Sequence, residues 1–326
     1  MTGLLTIPRI KYYRYSFSNT LILQIMKRSF IYIGILLLIS VISCNKNEEI
    51  TFSNYRVINF DCKITNIVLS KSIVESDNFS TNATIGIFSW GHIKNSATNK
   101  TVRKDLNNSL YIKVSGSNEF TCDTHAHYPI NPDTLLNFYA YYPYTEAATA
   151  APLSIPFDLK KQDDIMWATP VLDRDKTTSN EPVNLSFNHI LSAITLKFKK
   201  ADDIKEEMIL QSISMENYPS TIQLNVQTGK LSVAPSTTPY TLIDNLNKEI
   251  TPNEETIVTN YLLYPIEKPV FIVRMSNKDY RIESTKAFEG GKKQTYSFTI
   301  QAQDISISGS INPWLDGGTS DETVYF

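Results

Sequence analysis

A two-residue rhythm of apolar and polar side chains runs through this chain and restricts it to short β-strands. Leu110, Ile112 and Val114 alternate with Tyr111 and Lys113. Ile194, Leu196 and Phe198 alternate with Thr195, Lys197 and Lys199. Ile222, Leu224 and Val226 alternate with Gln223 and Asn225, and Tyr296, Phe298 and Ile300 with Ser297, Thr299 and Gln301. Period two places one set of side chains on a buried face and the other in water. Turn signals separate the runs. Ser276-Asn277-Lys278-Asp279 between Val270–Met275 and Tyr280–Ile282 predicts a hairpin. Thr228-Gly229-Lys230 closes one strand and opens Leu231–Val233, and Gly290-Gly291 precedes the Tyr296 run. Only 200–208 (Lys-Ala-Asp-Asp-Ile-Lys-Glu-Glu-Met) has a helical pattern. Many short strands with almost no helix argue for an all-β chain built of β-sandwiches. The polar stretch Asp173–Pro182 is the best linker candidate, although it could equally be a loop inside one domain. We expect domains over 55–184 and 185–326.

The start of the chain has a different character. Met26-Lys27-Arg28 is a short basic segment, and Phe30–Ile42 is almost wholly apolar over about 13 residues. That is the length of a signal-peptide core, whereas a membrane span needs about 20. Val41-Ile42-Ser43 then leads into Cys44, an arrangement that resembles the lipobox of bacterial lipoproteins. Ser43 is small enough for a signal peptidase to reach the bond before Cys44. The Cys44 thiol can take a diacylglycerol thioether and its freed amine a further acyl chain such as palmitate. Two or more chains anchor stably where one does not. Residues 26–43 therefore read as a lipoprotein signal peptide, 44–54 as a tether, and 1–25 as a gene-model extension ahead of a true start at Met26. Asn45-Lys46-Asn47-Glu48-Glu49 resembles the export tag of surface lipoproteins in Bacteroides-type bacteria, so a lipid-anchored, surface-exposed outer-membrane location is expected.

The chain has 31 Lys and Arg against 33 Asp and Glu, a net charge of −2. Residues 1–44 hold five of the bases and no acid, so the remainder carries −7. A mildly acidic chain without clustered bases argues against nucleic acid as a partner. Cys62 and Cys122 could pair in an oxidising compartment or stay free. Cys122-Asp123-Thr124-His125-Ala126-His127 is the one run with several possible metal ligands. An exposed loop explains it better, and no metal or cofactor is expected. His189 has no nucleophile motif beside it, and Asp163-Asp164 reads as a solvated turn rather than a catalytic carboxylate pair. Phe138-Tyr139-Ala140-Tyr141-Tyr142-Pro143-Tyr144 could stack on sugars if exposed, but reads first as a core strand. No enzyme is expected.

Several segments together resemble a known family. They are Phe138–Tyr144, Asp164-Ile165-Met166-Trp167-Ala168, the run 183–192 (Val-Asn-Leu-Ser-Phe-Asn-His-Ile-Leu-Ser) with the strand Ala193–Phe198, Phe288–Tyr296, and Ile311-Asn312-Pro313-Trp314-Leu315-Asp316-Gly317-Gly318. Their order behind a lipobox is similar to that of the fimbrillins, the fimbrial (pilus) subunits and related surface lipoproteins of Bacteroides-type bacteria. The resemblance covers roughly residues 44–318. It implies two transthyretin-like β-sandwich domains in tandem after the signal peptide, and a structural or adhesive role. It also implies assembly with other fimbrial subunits by strand exchange. An Arg- or Lys-specific protease removes the first strand, and a neighbour's strand fills the groove. Arg56, Lys63 and Lys71 are then candidate processing positions. Only eight residues, Thr319–Phe326, follow Gly318, which is short for a donor strand and leaves tip, anchor or minor-subunit roles open. A host or bacterial surface ligand would complete an adhesive role. The alternative is a stand-alone glycan-binding surface lipoprotein.

Overall fold

The first ten strands are β1 (Phe60–Ile64), β2 (Thr84–Ile93), β3 (Ser96–Val102), β4 (Ser109–Lys113), β5 (Glu119–Thr121), β6 (Thr134–Tyr142), β7 (Ile155–Asp158), β8 (Met166–Thr169), β9 (Val171–Arg174) and β10 (Val183–His189). The next six are β11 (Ser192–Lys200), β12 (Ile209–Met215), β13 (Thr221–Leu224), β14 (Leu231–Val233), β15 (Tyr240–Ile243) and β16 (Lys248–Glu249). The last five are β17 (Glu255–Leu263), β18 (Val270–Met275), β19 (Lys278–Glu283), β20 (Lys292–Ile300) and β21 (Ile305–Pro313). They come from a computed structural model that describes residues 56–65, 79–102, 106–178, 180–301 and 305–313. The all-β expectation holds: the only helices among the described residues are short 3-10 turns.

In the first half the hydrogen-bonded order β2-β4-β5-β1-β10-β8-β6 returns to β2, so seven strands close into a ring. Closure removes the open edges that make sheets sticky. Inside it lies a core that includes Phe60, Tyr111, Phe120, Phe138 and Phe187. In the second half, the sheets β17-β11-β20-β21 and β15-β12-β18-β19 pack through a second core. There Phe198 stacks on Phe298 at 4.5 Å and Phe271 meets Phe298 edge-on at 5.2 Å. Each half has a parallel pair involving its first strand, β1 with β10 and β11 with β20.

The halves are joined by more than the chain. The face of β2 and β6 turned away from the ring's core carries Phe88, Trp90, Tyr139 and Tyr141, which belong to the second core. Strand β6 is thus buried on both sides, with Phe138 and Ala140 in one core and Tyr139 and Tyr141 in the other. This confirms the core-strand reading of the aromatic run. Strand β7 pairs with β13 to form a sheet shared between the halves. Trp167 on β8 donates from Nε1 to the Val226 carbonyl at 2.7 Å and lies over Gly229. Gly229 has φ +70°, and a Cβ there would come within 2.7 Å of the indole. Gly229→Ala should therefore lower unfolding stability by about 2 kcal/mol, adding left-handed backbone strain to the clash. A thermal melt checks this.

Several expectations change. The 200–208 helix is absent. Lys200 ends β11 and Ala201–Met208 is turns, held where Ala201 N donates to Ile300 O at 2.9 Å and Lys200 Nζ to Glu206 O at 2.9 Å. So short a segment does not sustain a helix against such partners. The alternation at 110–114 is real but its faces are reversed. Tyr111 is buried while Leu110 and Ile112 are exposed, because the Tyr111 ring packs edge-on against Phe60 at 5.0 Å. Asp173 and Arg174 close β9, and the polar stretch that follows leads to β10 within the first half. The chain changes sheets at Ile190–Leu191, so the 184/185 boundary would fall inside β10. There two of the family-like segments meet, 183–192 and the one that begins at Phe288: Gly291 N donates to Leu191 O, and Ser192 Oγ to Glu289 O, each at 2.7 Å.

Candidate strand-exchange groove

Ile58, Phe60, Cys62 and Ile64 alternate with Asn59, Asp61 and Lys63, and this local pattern makes 58–64 an inward-facing ribbon. Ile58, Phe60 and Cys62 are at most 2 % exposed, and Ile64 packs against the same core. The Phe60 ring lies edge-on to Tyr111 at 5.0 Å and to Phe138 at 5.5 Å. One wall of the groove is β10, in parallel register from Phe60 opposite Val183 to Ile64 opposite Phe187. The other wall begins at β5, where Phe60 faces Phe120 and Asp61 faces Glu119.

The second wall extends beyond β5. Cys62 N donates to Asn118 O at 3.0 Å, Ile58 N to Ala126 O at 2.8 Å, and Tyr128 N to Arg56 O at 2.9 Å, while Val57 bridges to His127. Between the Phe120 and His127 contacts, the segment Cys122–His125 bulges out of the ladder. The Cys/His run is therefore the rim of this groove. Among the described residues, no three His, Cys, Asp or Glu side chains gather as a metal site. At the other end Val183 N donates to Asn59 O and Thr65 N to Phe187 O, both at 2.8 Å. The chain returns at Phe79, whose ring meets Phe120, Tyr142 and Phe187 edge-on at 5.0–5.3 Å.

Cys62 and Cys122 are both free thiols. The β1–β5 register explains why. Cys62 lies opposite Asn118, four residues from Cys122 along an extended strand, on the order of 13 Å and beyond disulfide reach. Burial first, and the Asp61 carboxylate second, push the Cys62 thiol well above its ordinary value. A thiol raised in the folded state contributes stability in full below its unfolded pKa of about 8.5, and that contribution is lost as pH rises above it. The wild-type chain should lose stability between pH 8 and 10 more steeply than Cys62→Ala. Paired denaturant melts across that range check the difference.

The sequence-derived positions fall as follows. Val41, Ile42, Ser43, Cys44 and Lys71 lie outside the described residues. Arg56 is exposed at the N-terminal end of the groove and its guanidinium donates to Asn180 Oδ1. Lys63 is exposed on β1, opposite Ser186. His189 is held by Asp164 at 2.9 Å, so Asp164 serves that contact rather than a carboxylate pair with Asp163. Sequence reasoning did not place Phe60, Cys62 or Phe79 in a groove, although the Ile58–Ile64 alternation signals the first two.

A family profile described as Fimbrillin-like matches residues 73–314. The chain belongs to the fimbrillin-like family. A curated relative, "Putative fimbrium subunit Fim1C" of Bacteroides uniformis, is 26 % identical over 200 residues, which is 57 % of this chain and 64 % of the relative. The match thus spans less than two thirds of that relative's length. Among solved structures, a "putative cell adhesion protein" of Bacteroides uniformis aligns over 80 % of this chain and 98 % of its own, with TM-score 0.53 and 19 % identity. A fimbrial protein of Bacteroides vulgatus aligns over 79 % and 99 %, with TM-score 0.53 and 13 % identity. At such identities these two establish a shared fold.

Proposed function

We propose that this chain is a fimbrial subunit of structural or adhesive type. It reaches the cell surface as an outer-membrane lipoprotein anchored through Cys44, and it assembles when a neighbour's strand replaces β1. The observation that carries this reading is the placement of bases around β1. A cut after Arg56 leaves β1 seated. A cut after Lys63 falls inside β1 and leaves Phe60 and Cys62 on a severed strand. Lys71 is the only Lys or Arg between Thr65 and Ala83, so within that stretch it is the one position where a basic-specific protease would free all of β1. The region shared with the family begins at residue 73, two residues beyond that bond.

After such a cut Phe79 would still hold the new N-terminal segment to the core. The groove would keep two walls of main-chain donors and acceptors over an apolar floor, which suits β-augmentation. The glycan-binding alternative loses its main support, because the rings of Phe138, Tyr139 and Tyr141 are buried.

Mass spectrometry of the surface fraction from the native host tests the proposal. The mature chain should begin at Ser72 and form ladder-like oligomers. Lys71→Ala should leave a precursor that is acylated at Cys44 and does not assemble. A wild-type chain that assembles with β1 intact would overturn the reading.

A further inference from the structure

The groove has a shape code, and β1 matches only part of it. Its four inward positions differ. Ile58 sits beside Ala126 at one end, and Ile64 lies opposite Phe187 at the other. Between them, Phe60 fills a site walled by the rings of Tyr111 and Phe138. A ring-lined site of that width accepts an aromatic side chain, and a smaller one leaves a void. Cys62, the smallest of the four, holds the next site at 1 % exposure, so a larger side chain there has to displace core neighbours.

The outward positions add a charge preference. Phe60 and Phe120 face each other inside the ring, so Asp61 and its partner Glu119 face each other on the outer surface. Like charges directly opposite across an antiparallel pair are unfavourable. Strand β1 is therefore seated with a charge mismatch that a different strand need not carry. The hydrogen-bonded length of the groove runs from the Arg56 carbonyl to the Thr65 amide.

We propose that this groove selects an incoming strand of about ten residues whose inward side chains run aliphatic, aromatic, small, aliphatic, with a basic residue outward between the aromatic and the small one. This rests on the strand-exchange reading above and names the partner segment that reading requires. A strand with Lys opposite Glu119 replaces repulsion by attraction, so exchange runs from β1 toward the partner strand.

The test uses the full chain with its own strand handicapped by Phe60→Ala, and a second chain with Cys62→Leu in case the first does not fold. The probes are synthetic ten-residue peptides with the sequence of residues 56–65, labelled for fluorescence anisotropy. The native-sequence peptide should bind. The peptide with Asp61→Lys should bind several-fold tighter, and that gain should shrink in high salt. Peptides with Phe60→Ala or Cys62→Leu should bind roughly 100-fold and at least tenfold more weakly. Equal binding by all four peptides would overturn the size and charge code while leaving strand exchange standing. No binding of any peptide to either folded chain would overturn both. Weaker binding by the Asp61→Lys peptide would overturn the charge part alone.

Discussion

Phe60→Ala is expected to lower the unfolding free energy by about 3–5 kcal/mol, the usual loss for a buried Phe truncated in a core that cannot close around the void. The site gives little scope for collapse. Phe60 is fully buried, and its ring is fixed by edge-on contacts to Tyr111 and Phe138 from two different strands, β4 and β6. The expected loss is a large share of the roughly 5–15 kcal/mol that a domain has in total. A urea melt should show the midpoint moving down sharply. Cys62, buried in the wild-type chain, should become reactive to alkylating reagents as β1 detaches. A loss below about 1 kcal/mol, with Cys62 still protected, would mean that β1 is not seated as described, and the exchange proposal would lose its structural basis.

The second large effect lies on the opposite side of the ring. Gly86 on β2 faces Tyr141 on β6, and a Cβ at residue 86 would lie 2.2 Å from the ring's Cε1. The ring has no easy retreat. Its hydroxyl donates to Asn108 Oδ1 at 2.7 Å and accepts from Thr145 N at 3.1 Å, and the ring face packs on Phe88. Gly86→Ala should cost about 3 kcal/mol, combining overpacking with the loss of those hydrogen bonds. The companion change Tyr141→Leu removes the clash, so the double variant should be more stable than the sum of the two single losses implies. Coupling near zero in that double-mutant cycle would show that the ring and the glycine do not meet.

Local pattern carried much of the fold into view. Alternation at 194–198, 222–226 and 296–300 gave strands, and the Thr228-Gly229-Lys230 and Ser276-Asn277 signals gave hairpins, because both are written in neighbouring residues. The errors came where a distant partner decided the outcome. Leu110 and Ile112 read as the buried set, but Phe60, fifty residues earlier, places Tyr111 inside instead. The stretch 200–208 had helical composition, but its ends are held by Ile300 and by the Lys200 side chain. The Cys122–His127 run was expected as an exposed loop, but spacing along the chain cannot show that its backbone serves as the rim for residues 56–58.

The ordered motifs from Phe138 to Gly318 point to the fimbrillin-like family by themselves, and the basic and apolar opening with a small residue before Cys44 carries our proposal of export. Both kinds of signal lie in contiguous residues. Which strand can be replaced is not written that way. Only the closed ring places residues 56–65 between β10 and the 118–128 wall and sets Asp61 against Glu119. Hydrogen-bond register and side-chain facing arise between segments far apart in the chain, so they exist only once the chain has folded.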